Sequence, residues 1–225
     1  DYNTAMGLDS LGNNTTGTQN TAVGESALAA NTTANYNTGL GSGALASNTT
    51  GASNVAVGSA ALLLNTTGEN NYAGGYAALD AATTANYNTA VGYATGDAVT
   101  TASGSAFLGS NAGGTVTTGN MNIGIGYGAL QGGVTTGDNN IAIGYNAGDA
   151  LTSGNKNILI GRLNIRFFVD ISRIRLKTLY LNSLASTFFQ IWMSYWSTST
   201  GRGKAGESKD SKGRTDAYPK GRKIM

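Results

Sequence analysis

The sequence predicts an all-β fold, a parallel β-solenoid of about ten coils, on three observations. A 17-residue period runs through residues 1–161, a glycine recurs at one fixed place in every unit, and a column of aliphatic residues precedes that glycine. Units begin at Asn3, Asn20, Asn37, Asn54, Asn71, Asn88, Ser105, Asn122, Asn140 and Asn157, with a single step of 18 between Asn122 and Asn140.

The consensus is Asn-x-Ala-Φ-Gly-x-x-Ala-Leu-x-x-Asn-Thr-Thr-Gly-x-x, with Φ aliphatic, and each part of it has a structural meaning. Asn-x-Ala-Φ is too short for a helical pattern, is rich in β-branched residues at Φ and is followed by a helix breaker, so it reads as a short strand. The fifth position is Gly in all ten units, from Gly7 to Gly161, and closes that strand with a turn. The fourth position (Met6, Val23, Leu40, Val57, Gly74, Val91, Leu108, Ile125, Ile143, Ile160) is expected to face the core. Ala and Leu at the eighth and ninth positions, as in Ala27-Leu28 and Ala61-Leu62, form a second inward patch. The Thr-Thr-Gly segment follows as a second strand or turn on a solvated face. Asn recurring once per coil is expected to bond to the same amide in the coils above and below. Stacked at about 4.8 Å per coil, the units make a rod on the order of 45–50 Å long.

Composition narrows the function. The chain has 225 residues, 34 of them Gly, and neither Cys nor His, which removes disulfides, thiolate metal sites and the commonest general base. Gly124-Ile125-Gly126-Tyr127-Gly128 is glycine-rich, but no Gly-Lys-Ser/Thr follows and no long helix can begin there, so a phosphate loop is excluded. Calcium-binding β-rolls need an Asp in every turn, whereas the acids here fall at non-equivalent positions. Asp80 and Asp97 lie 17 residues apart and stack on adjacent coils, which reads as a solvated like-charge pair. No catalytic constellation has a recognisable spacing, so the expectation is no enzyme and no cofactor. The Asn-x-Thr acceptor patterns at Asn13, Asn31, Asn48 and Asn65 recur because the repeat recurs.

Tyr76, Tyr93, Tyr127 and Tyr145 each follow the fixed Gly and so share the sixth position of their units. An aromatic column on a rod either stacks on sugar rings of a host surface or packs against a partner chain. These four are the candidate ligand contacts.

The run Asn20-Thr-Ala-Val-Gly24 with Ala27-Leu28 and Asn31-Thr-Thr, repeated in Asn54-Val-Ala-Val-Gly58 and Asn140-Ile-Ala-Ile-Gly144, resembles the head repeats of YadA-type trimeric autotransporter adhesins. It is also similar to the repeat shafts of phage tail-fibre proteins and of bacterial surface proteins that end in an endosialidase-type chaperone domain. The resemblance covers residues 1–161. It implies a left-handed parallel β-roll, three chains side by side, and adhesion to a host surface or matrix. The expected function is therefore attachment by an extracellular fibre at a cell surface or on a virion, with a purely structural shaft for some other binding domain as the alternative. Apolar area points the same way on assembly: one aliphatic and one Ala-Leu pair per coil bury too little to order a glycine-rich chain alone, so a homotrimer is expected.

Beyond Gly161 the chain changes character. Residues 1–161 hold one base, Lys156, and eight acids, net −7, whereas the last 64 residues hold thirteen bases and four acids, net +9. The tenth unit starts correctly and then turns to Arg162-Leu-Asn-Ile-Arg-Phe-Phe, a break that suggests a frameshifted reading frame or else an unfamiliar capping segment. Residues 162–200 are apolar and aromatic-rich, yet Asn182, Ser183, Ser186 and Gln190 dilute the uncharged stretch, which argues against a membrane span. Residues 201–225 are basic and polar, read as a disordered tail without the aromatic platform that specific nucleic-acid binding needs. The chain opens inside a repeat with no signal segment, so it is expected to be a fragment.

Overall fold

The computed structural model describes residues 2–133 and 135–162. The expectations for residues 163–225, and for the break after Arg162, lie outside the described residues. Ten three-residue strands form one sheet: β1 (Thr4–Met6), β2 (Thr21–Val23), β3 (Thr38–Leu40), β4 (Val55–Val57), β5 (Tyr72–Gly74), β6 (Thr89–Val91), β7 (Ala106–Leu108), β8 (Ile123–Ile125), β9 (Ile141–Ile143) and β10 (Ile158–Ile160). They lie in chain order, each parallel to the next. Thr21 pairs with Thr38, Ala22 with Gly39 and Val23 with Leu40, so the register is the repeat period itself. Nine turns of chain between ten strands make a β-solenoid, and there is no helix among the described residues.

The 18-residue step leaves the sheet untouched. Ile123 still pairs with Ile141, and the extra residue is absorbed between Leu130 and Thr135.

The side chain that enters the core from each strand is the third-position residue, not the fourth. Ala22, Ala56, Ala73, Ala90 and Ala142 have no exposed surface, while Leu40 is 44% and Leu108 51% exposed. The expectation that the aliphatic column faces inward is therefore corrected. Strand side chains alternate, so Asn at position one and Ala at position three share the inner face, and positions two and four share the outer one. The interior there suits a small side chain: a Cβ on Gly39 would lie 3.1 Å from the Ala44 carbonyl oxygen, and the larger Phe107 and Leu159 enter only beside glycines at the ninth position.

The Ala-Leu patch is inward as expected, with Leu28, Leu45, Leu62, Leu79 and Leu130 fully buried. Each of these leucines has a left-handed backbone, with φ between 52° and 60°. That conformation costs an L-residue roughly 1–2 kcal/mol, against about 1.5–3 kcal/mol from burying the side chain, so burial prevails. At the fixed Gly the balance differs. Gly24 has φ 131°, and a Cβ there would come within 2.6 Å of the Gly41 carbonyl one coil on, so no side chain fits.

Coil seven replaces the core pattern as a unit. Phe107 takes the place of Ala, while Gly96 and Gly113 take the place of Leu in that coil and its predecessor. A Cβ on Gly113 would lie 2.5 Å from Phe107 Cδ1 and one on Gly96 3.2 Å from Cδ2, so the ring occupies volume that two leucines fill elsewhere. Leu159 and Gly148 repeat the exchange at the other end.

Buried amides hold coil to coil. In the first-position column Asn37 N–H donates to Asn20 Oδ1 at 2.9 Å, and Asn37 Nδ2 donates to the Gly51 carbonyl at 2.9 Å. The amide oxygen accepts from the next coil's backbone, since that Asn N–H would otherwise be a buried donor without a partner. The expected amide-to-amide bond accompanies it where Asn71 donates to Asn54, Asn88 to Asn71, Asn140 to Asn122 and Asn157 to Asn140. A second side-chain ladder runs at position twelve: Asn31 Nδ2 donates to Asn14 Oδ1 at 2.8 Å, Asn48 to Asn31 at 3.2 Å and Asn65 to Asn48 at 2.8 Å. Beyond Asn65 the column holds the buried apolar Ala82, Val99, Val116 and Leu151, and the eighth coil pairs Val116 with the buried Thr135. From Thr15 to Thr100 the first Thr of each pair donates to the next coil's carbonyl, as Thr49 Oγ1 does to Thr66 O at 3.0 Å, and the Thr-Thr segment is a bend, not a second strand.

Candidate functional site

Parallel pairing in register puts sixth-position residues one above another, at a spacing close to that of stacked aromatic rings. Tyr76 and Tyr93 stack with ring centroids 5.3 Å apart and planes 13° from parallel. Tyr127 and Tyr145 repeat this at 5.3 Å and 11°. All four rings are about half exposed. The four tyrosines are thus brought together as two pairs, not one continuous column, because coil seven carries Ser110 at this position.

Two members of the site went unnoticed in the sequence. Arg162, the sixth residue of the tenth unit, places its guanidinium 5.3 Å from the Tyr145 ring centroid, a cation over an aromatic face. Ser110 breaks the stack. Both become legible once the sixth position is read through every unit instead of wherever Tyr occurs.

Asp80 and Asp97 sit on adjacent coils at the tenth position. Partial burial raises the Asp80 carboxyl above its ordinary range, and burial followed by the Asp80 charge raises Asp97. The two acids stand alone: among the described residues no group of three or more Asp, Glu, His or Cys is placed to hold a metal ion. Asn31, Asn48 and Asn65, three of the Asn-x-Thr acceptors, are fully buried in the amide ladder, where a glycosylating enzyme has no access.

The outer face of the sheet carries the second surface of interest. Its fourth-position column exposes Met6, Leu40, Val57, Val91, Leu108, Ile125, Ile143 and Ile160. Adjacent strands pair these residues directly in the first four coils and again from Val91 to Ile160, so they form an apolar stripe in two runs, interrupted in coil five, where Gly74 pairs with both Val57 and Val91.

No family model matches the chain, and neither a curated protein nor a solved structure matches it.

Proposed function

We propose that residues 1–161 are the repeat segment of a fibrous adhesin or phage tail fibre, extracellular on a cell surface or virion, which attaches to a host surface or matrix as a homotrimer. The reading is of attachment and not of catalysis. The observation that carries it is the outward aliphatic stripe: a lone soluble chain seldom leaves so long an apolar surface in water, and a copy of the same stripe is the complementary cover. The half-exposed tyrosines on a different column supply a surface suited to a host ligand.

A structural shaft is the second reading, favoured by the way the buried asparagines serve coil-to-coil bonding. Sedimentation of the full chain tests assembly. A trimer is expected, with Val57→Lys combined with Leu108→Lys giving smaller species; a folded, β-rich monomer at micromolar concentration overturns it. Beads coated with the chain test attachment on collagen, on mucin and on bacterial cells. Retention on one of the three is expected, and retention on none leaves the shaft.

A further inference from the structure

We propose that the gap at Ser110, walled by Tyr93 and Tyr127, is a binding slot for a ring of a neutral saccharide; the proposal deepens the attachment reading and rests on it. Tyr76 covers one face of Tyr93, and Tyr145 covers one face of Tyr127. Their other faces look toward coil seven, where the sixth position holds only a half-buried serine. Among the described residues this is the one place where two tyrosines of the column stand two coils apart; the free face of Tyr76 meets Ser59 and then Ser42, with no second wall.

The width selects the ligand. Two coil steps separate the walls by about 10 Å. Two carbon–carbon contacts of roughly 3.5–4.0 Å each account for about 7–8 Å of this. The remainder of about 2–3 Å exceeds ring pucker alone and is filled by the out-of-plane substituents of a saturated ring, which a flat aromatic ring lacks. The C–H groups of a pyranose face the negative faces of the tyrosines, and the Ser110 hydroxyl offers a polar floor. Charge selects further, since residues 1–161 are net −7 and Asp97 lies in coil six on the Tyr93 side, so an acidic sugar is disfavoured.

Coil seven also departs from the consensus in its core, where Ser105, Phe107 and Gly113 stand in place of Asn, Ala and Leu. Those core changes compensate one another, and at the variable sixth position Ser110, like Ser42 and Ser59, leaves the surface without a ring.

The test titrates the full chain with maltotriose, cellotriose and tri-N-acetylchitotriose, read by tyrosine fluorescence and calorimetry. Saturable binding of at least one is expected. Ser110→Tyr should complete a five-ring stack and abolish it, Tyr93→Ser and Tyr127→Ser should each weaken it about tenfold, and Tyr76→Ser, which keeps both walls, should leave it little changed. Circular dichroism identifies any variant that has lost its fold, and Ser110→Tyr, which adds a stacking ring, is the variant expected to keep it. No saturable binding of any of the three sugars overturns the proposal, as does undiminished binding by a folded Ser110→Tyr chain. Bead attachment separates the two readings: attachment that survives Ser110→Tyr sinks the slot and leaves the adhesin, whereas sugar binding by a chain that attaches to nothing keeps the slot and sinks the adhesin.

Discussion

Asn65 and Ala82 meet where a buried amide ladder ends: Asn65 Oδ1 is enclosed without a hydrogen-bond partner, and the residue one coil on, which would supply an amide, is alanine. Asn65→Ala only moves this end, because Asn48 Oδ1 becomes the orphan in its place. Asn48→Ala leaves two orphans, Asn31 Oδ1 and Asn65 Oδ1, while removing the same side chain. The Asn48 variant is expected to be less stable than the Asn65 variant by about 1–3 kcal/mol. Urea denaturation of the two side by side checks this, and equal midpoints would rule out the ladder as the cause.

Phe107 and the glycines around it form a compensated set. Phe107→Ala is expected to cost about 3–5 kcal/mol, since neither Gly96 nor Gly113 has a side chain to fill the void. Adding Gly96→Leu and Gly113→Leu restores the pattern of the other coils, whose leucines accept the same left-handed backbone. The triple variant should recover most of the loss in thermal unfolding. A further loss would mean the volumes are not exchanged as described.

The fixed glycines separate two effects. Gly41 and Gly161 have similar backbones, φ 136° and 130°, but a Cβ on Gly41 would lie 2.6 Å from the Gly58 carbonyl whereas one on Gly161 meets nothing within 4 Å. Gly161→Ala is expected to cost about 1–3 kcal/mol from the dihedral alone, and Gly41→Ala distinctly more. Similar losses in the two melting curves would place the whole constraint in the backbone angle.

Asp97 gives a pH dependence of known sign. Its carboxyl is raised in the folded chain, so folding favours the protonated form; that contribution is complete below the ordinary value of 3.8 and is lost as pH climbs through the raised value. Asp97→Asn, neutral at every pH, should differ little from the parent near pH 3 and be the more stable at pH 7. Melting temperatures of both chains across this interval are the measurement, and a difference independent of pH would contradict the assignment.

Much of the fold was legible because the repeat shows it: a fixed glycine gives the coil boundary, and one period gives the parallel register. The inward residue was not, because Φ is the most apolar of the strand positions and hydrophobicity alone assigns it to the core. Parity assigns it correctly, since Asn20 and Ala22 alternate with Thr21 and Val23, and Ala is what a narrow interior admits. The tyrosine column was legible as a spacing. Its division was not, because the dividing residue is a serine that carries no signal by itself.

The extra residue between Leu130 and Thr135 shows what sets the length of the rod. Each coil advances by one strand spacing whatever the contour length of its loop, so the axial position of every side chain is counted in strands. A peptide grafted at this corner would therefore hang from the side of the fibre without displacing anything above or below it. The solenoid acts there as a ruler with one mark available for labelling, and a fluorophore or epitope placed on it would report distances along the axis in units of a single coil.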